Sequence, residues 1–150
     1  MEGINLKFSG FFKMKDGMVE PTCKQFHWWR ESGRPIKYVR CDNGGKNLKL
    51  EKRADSSDWK LNLKFEYTVQ DTPQQNHLAE LAFSTLYNKG RAMMIDTKIP
   101  KKLHYKLLKE AFATVTLLDG LMAINYSGKV QSHYEHWAGK NPDFSKHLRT

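Results

Sequence analysis

An α/β fold is predicted from three features: a period-two run between Leu61 and Val69, helical spacing of apolar residues from Met18 to Ser32 and again from Gln74, and the alternation of such segments along the chain. In the first, Leu61, Leu63, Phe65 and Tyr67 alternate with Asn62, Lys64 and Glu66, which gives a strand one apolar face. In the second, Val19, Cys23, Phe26 and Trp29 recur at the spacing of one helix face.

The elements follow in order. Leu6, Phe8, Phe11 and Phe12 make a short aromatic run ending at Lys15-Asp16-Gly17, a turn signal, so Leu6 to Met14 is expected to be a first strand. Met18 to Ser32 is a helix with Pro21 in its first turn and Gly33 where a helix stops. Ile36 to Cys41 is a second strand, ended by Asp42-Asn43-Gly44-Gly45. A short helix is expected around Leu48 to Arg53, followed by a turn at Ala54 to Ser57 and the strand at Leu61 to Val69, which Asp71-Thr72-Pro73 ends. Gln74 to Asp96 is a long helix with Leu78, Ala82, Leu86 and Met93 in one stripe. A further helix starts with Pro100 as its first residue and runs towards Leu121, burying Leu103, Leu107, Phe112 and Leu118, while Lys98, Lys102, Lys106 and Lys109 form another stripe. From Ser127 to Thr150 an ordered loop region or docking segment is expected.

Composition narrows the function classes. The 150 residues suit one domain, and 39% hydrophobic with 12% aromatic content argues against disorder. The formal charge is +9, with 14 basic against 11 acidic residues over positions 1–88 and 11 against 5 over 89–150. Basic chains bind nucleic acid, anionic membranes or acidic proteins, and charge alone does not choose among them. No run is apolar enough for a membrane span or laid out as a signal peptide, so a nuclear or cytoplasmic protein with no membrane partner is expected. Cys23 and Cys41 form no CxxC pair and read as reduced thiols.

Two acidic residues stand where chemistry would put them. Asp42 closes an apolar strand before a Gly-Gly turn, the usual place for functional residues at the C-terminal edge of an α/β sheet. Glu80 shares a helix face with Asn76, Ser84, Tyr87 and Arg91, all within about 40° of it, opposite the leucine stripe. Taken singly, Asp42 is a turn former and Glu80 a solvated charge. The words around them are more specific. Arg40-Cys41-Asp42-Asn43-Gly44-Gly45, Thr72-Pro73-Gln74-Gln75-Asn76-His77-Leu78-Ala79-Glu80 and Arg91-Ala92-Met93-Met94 resemble the integrase catalytic core of copia-type retrotransposons, and 37 residues separate Asp42 from Glu80, near the spacing usual in that family. Tyr134 to Asp143, continuing through Leu148-Arg149, is similar to the segment that follows that core.

The resemblance implies an RNase H-like α/β fold over residues 1–126, with residues 127–150 as a post-core segment. It also implies metal-dependent phosphodiester transfer on DNA, in which Asp42 and Glu80 are the second and third members of an Asp, Asp, Glu set holding a pair of Mg²⁺ or Mn²⁺ ions. Such ions take hard oxygen ligands, one activating the attacking oxygen and one stabilising the leaving oxygen. Asn76, Tyr87, Arg91 and the Lys102, Lys106 and Lys109 stripe are the expected contacts to the element ends and target DNA, and full-length relatives act as homo-multimers.

The main departure from the family is its first Asp, carried in a His-x-Asp-x-x-Gly-Pro context on an opening strand. The sequence contains no such motif, and neither Glu2 nor Asp16 aligns with it, so the core is expected to be incomplete, without its first two strands. Lys46 stands where Glu is frequent, His77 replaces Gly, and Leu81, Ala82 and Phe83 replace a polar run. The chain by itself is therefore expected to be an inactive fragment, with a non-catalytic basic nucleic-acid-binding domain as the alternative. The His133-x-x-His136 pair lacks the cysteines or HExxH context of a zinc site, Cys41 reads as a small buried strand residue, and of the paired tryptophans only Trp28 is a candidate for base stacking.

Overall fold

A computed structural model describes residues 6–68 and 73–143, the side chains of Lys15 and residues 73–76 excepted. Val69, Asp71, Thr72 and the tail from Phe144 onward lie outside the described residues. The chain divides into two compact units, one of residues 10–81 and one of residues 1–9 with 82–150.

In the unit of residues 10–81, a 3-10 turn at Lys15–Met18 leads into α1 (Val19–Glu31). This helix buries Cys23 and Trp29 from the expected stripe. It stops at Gly33, whose φ of +74° is a conformation that glycine adopts without a Cβ penalty. The strand β1 (Tyr38–Cys41), the helix α2 (Gly45–Ala54) and the strand β2 (Lys64–Tyr67) then form a parallel βαβ unit. Tyr38 pairs with Lys64 and Cys41 with Tyr67. Exposure alternates along both strands, as the period of two demands. β2 begins at Lys64 rather than at Leu61 because Lys60 and Asn62 have φ of +44° and +52°, which breaks the extended run. The core consists of Cys23, Leu50, Ala54 and Leu61, ringed by Phe26, Trp59, Leu63 and Phe65. Arg53 fastens its rim, with ion pairs to Glu20 at 2.9 Å and Asp58 at 2.6 Å.

The helix α3 (Pro73–Asp96) begins in this unit and ends in the other, which also holds α4 (Lys101–Leu121), the antiparallel hairpin of β3 (Ala123–Tyr126) and β4 (Lys129–Ser132), and α5 (His133–Ala138). Leu86, Phe112 and Val115 form the core there, with Met93 packed against them. Gly90 lies against α4, where a Cβ would come within 3.8 Å of the Ala111 backbone. Two parts of the expected stripes stay outside: Leu78 is 81% exposed and Leu118 50%. The buried face of α4 runs through Ala111, Phe112, Val115, Thr116, Asp119 and Gly120, centred near Asp119, and position 118 lies about 100° round the helix from that centre, at the edge of the face.

The expected first strand does not form, since residues 6–12 have no regular secondary structure. A strand requires a partner ladder, and here the segment is held by its side chains instead. Lys7 pairs with Asp119 at 2.5 Å, Phe8 lies edge-on to Trp137 at 5.7 Å, and a Leu6 methyl sits 3.0 Å from where a Cβ on Gly120 would be. The stretch from Ser127, expected to be irregular, contains the hairpin strand β4 and α5. Ser127 and Gly128 both have positive φ, +49° and +88°, which suits a two-residue turn of the primed class. Among the described residues no helix is long and apolar enough to cross a membrane.

Candidate functional site

Asp42 follows β1 directly, at the C-terminal end of the parallel pair. Its Oδ1 accepts the Gly44 N–H at 3.1 Å and a hydrogen from Asn47 Nδ2, which also donates to the Asp42 carbonyl at 3.0 Å. The first contact is an Asx turn, the local chemistry that makes Asp a turn former. The second comes from a buried side chain, Asn47, in the first turn of α2, to which sequence reasoning assigned no role. No sequence signal singles out Asn47, because its role depends on α2 starting at Gly45 and bringing position 47 back beside position 42. Gly44 is required by the same arrangement: a Cβ there would come 2.9 Å from Asp42 Oδ1. Gly44→Ala is therefore expected to rotate the Asp42 carboxylate off its two donors. The Asn47 resonances in a ¹H–¹⁵N NMR spectrum would then shift while those of α4 stay in place, and an unperturbed Asn47 side-chain amide would contradict it.

The neighbours of Asp42 are polar or titratable. Burial pushes the Cys41 thiol up, helped by the charges of Asp42 and Glu51. Tyr67, opposite Cys41 on β2, donates to Glu51 Oε2 at 2.7 Å, and burial together with that bond raises its phenol. Arg40 grips Glu66 across the strands through two nitrogens, at 2.9 and 3.2 Å. Beside this pair a cleft of about 310 Å³ is lined by Arg40, Glu66, Tyr67 and Thr68.

Glu80 is exposed on α3 and has no hydrogen-bond or ion-pair partner among the described residues. It belongs to the same compact unit as Asp42. Their carboxylates are the hard donors that Mg²⁺ or Mn²⁺ takes. Among the described residues, however, no group of three or more His, Cys, Asp or Glu side chains is gathered to hold a metal ion. One Asp42 oxygen is also committed to N–H donors. Among the described residues, the donors gathered do not make up a two-metal clamp.

Of the expected DNA contacts, Asn76 has its side chain outside the described residues. Tyr87 and Arg91, one helical turn apart on α3, lie together, with the guanidinium 5.9 Å from the ring centroid. Phe83 stacks on Tyr87 at 6.3 Å and packs on Phe112 at 5.4 Å, which ties that pair to the core. Lys102, Lys106 and Lys109 are all exposed on α4. Sequence reasoning passed over Tyr105, which is 73% exposed with the Lys106 ammonium 5.8 Å from its ring, although Lys102-Leu103-His104-Tyr105-Lys106 already interleaves an aromatic with lysines.

In sequence the chain is similar to a retrovirus-related Pol polyprotein from transposon TNT 1-94 of Nicotiana tabacum, 36% identical over 91 residues. The match takes in 59% of this chain and 7% of that polyprotein. This similarity supports an origin in a retrotransposon polyprotein. No family model and no solved structure matches the chain.

Proposed function

We propose that the chain is part of the integrase region of a copia-type retrotransposon, that its fold is the RNase H-like one in part, and that it binds DNA without itself catalysing phosphodiester transfer. The observation that carries this reading is the similarity to a transposon Pol polyprotein in a chain that also has both acidic motif words, at Asp42 and Glu80. The parallel βαβ unit, with Asp42 directly after its first strand, is the local architecture such a core needs. Asp42 and Glu80 take the second and third acidic positions. A third carboxylate would have to bridge two metal ions for attacking and leaving oxygens to be clamped together, and the described residues assemble no such set.

DNA is the partner in this reading, with Tyr87, Arg91, Lys102, Lys106 and Lys109 as contacts and Asn76 beside Glu80 on α3. The exposed lysines supply phosphate neutralisation, and Tyr87 and Tyr105 supply rings for stacking. A multimer of the longer polyprotein product is the setting in which catalysis would take place.

The test is an end-processing and strand-transfer assay of the purified chain on labelled DNA ends with Mg²⁺ or Mn²⁺. No product is expected, while the same protein binds duplex DNA with an affinity that falls as salt rises. Robust activity abolished by Asp42→Asn and by Glu80→Gln would refute the catalytic part. Binding indifferent to salt would refute the DNA part.

A further inference from the structure

A second cationic surface is built from residues other than the α3 and α4 ones just named. The hairpin and α5 enclose an open basin of about 400 Å³ lined by Lys129, Gln131, Glu135, His136, Lys140 and Asn141, among others. Local chemistry builds it at both ends of α5. At the start, Ser132 and Glu135 form a reciprocal capping box: the Ser132 hydroxyl accepts the Glu135 N–H at 3.0 Å, and Glu135 Oε2 accepts the Ser132 N–H at 2.6 Å. At the end, Gly139 with φ of +68° turns the chain so that Lys140 and Asn141 line the same basin as Lys129.

The basin carries more positive than negative charge. Glu135 is the only carboxylate among the six lining residues named, and its Oε2 is committed to the helix cap. Neither Lys129 nor Lys140 has an ion-pair partner among the described residues. In the same basin the His136 ring is held in one plane by stacking on Tyr126, with centroids 4.2 Å apart and planes at 15°. The Gln131 amide nitrogen donates to His136 Nδ1, so the neutral ring carries its hydrogen on Nε2 and is a donor there. Two ammonium groups outside any ion pair, the Lys129 one within electrostatic reach of Glu135, and an oriented N–H donor in an open, polar basin match the singly charged, oxygen-rich backbone of a nucleic acid. They do not match an apolar ligand, which would need an enclosed apolar pocket.

We infer that this basin is a second contact for the phosphodiester backbone of DNA, with Lys129 and Lys140 neutralising phosphates and His136 donating to a phosphate oxygen. The inference rests on the DNA-binding part of the function proposed above and on none of its acidic residues.

The experiment measures fluorescence anisotropy of a short labelled duplex DNA with the full chain, in a salt series, for wild type, the Lys129→Glu/Lys140→Glu double variant, its Lys129→Arg/Lys140→Arg counterpart, and the Lys102→Glu/Lys106→Glu/Lys109→Glu triple variant. Loss of two phosphate contacts is expected to weaken binding about tenfold to a hundredfold near 0.1 M salt and to flatten the log–log salt slope by about two, with the arginine variant close to wild type. Circular dichroism melting of each variant checks that the fold is retained, and a Lys129→Gln/Lys140→Gln variant, expected to weaken binding and flatten the slope in the same direction, carries the test if the glutamate variant does not fold. If the triple variant loses binding while the double variant keeps its affinity and slope, the inference is overturned and the proposed function stands. If neither variant changes binding, both fall. Competition by millimolar inorganic phosphate as effective as that by unlabelled DNA of equal phosphate content would also overturn it, since the basin would then hold free phosphate.

Discussion

Phe112→Ala is expected to lower the stability of the unit of residues 1–9 and 82–150 by about 3–5 kcal/mol, the usual cost of emptying an aromatic position in a core that cannot collapse around the gap. The buried cluster there is small. It consists of Leu86, Phe112 and Val115, with Met93 packed against it. Phe112 also carries Phe83, centroid to centroid 5.4 Å away, and through it the Tyr87 and Arg91 pair. A domain of this size has a total stability of about 5–15 kcal/mol, so the variant should be close to unfolded at 37 °C. Urea unfolding followed by circular dichroism checks this, with the loss read from the midpoint at constant slope. A loss below about 1 kcal/mol would mean that Phe112 is not the centre of that core.

The second large effect is expected at Asp119. This carboxylate is 8% exposed and bridges Lys7 at 2.5 Å and Lys89 at 2.6 Å. Asp119→Ala leaves two ammonium groups without their shared partner, at a cost of about 2–3 kcal/mol; the value lies below the range for fully buried pairs because Lys89 is partly solvated. Burial alone would raise the Asp119 pKa, but the hydrogen bonds from Lys7 and Lys89 outweigh it and hold the carboxyl below its usual range. A group depressed in the folded state contributes stability above its unfolded pKa, near 3.9, and loses it as pH falls through the lower folded value. The gap in melting temperature between wild type and Asp119→Asn should therefore close as pH falls below about 4. A gap independent of pH down to 2 would show that the ion pairs do not hold the carboxylate.

The helices were legible in the sequence because their signals are local. Gly33 and Pro100 mark ends that depend on one residue's φ, although Pro100 precedes α4 as its cap instead of opening it, and the Cys23 and Trp29 face needs only a period. The alternation of Lys64 to Tyr67 was legible for the same reason. Leu6 to Met14 was misread because its aromatic composition suits a strand, yet a strand exists only with a partner, and the residues spend their side chains on Asp119, Gly120 and Trp137 instead. The hairpin was missed although Ser127-Gly128 is a turn signal, since its flanking runs are four residues each and neither is strongly apolar. At the site, the turn chemistry of Asp42 could be read from Asp-Asn-Gly-Gly, whereas the Asn47 clamp could not, because it depends on where α2 begins. Leu118 shows the limit of the stripe rule: Asp119, paired with two lysines, takes an interior position that hydrophobicity alone would give to a neighbour.

The attachment of Lys7 to Asp119 has a consequence for the chain as it leaves the ribosome. Residues 10–81 are an insertion between the two parts of the other unit. That inserted unit draws its contacts from one continuous stretch, so it can fold as soon as it has emerged. Leu6, Lys7 and Phe8, synthesised earlier, must wait for Gly120, Asp119 and Trp137 to appear more than a hundred residues later. During elongation Leu6 to Phe8 thus find their place only after the inserted unit has had time to fold, and until then a chaperone holding apolar segments has access to them.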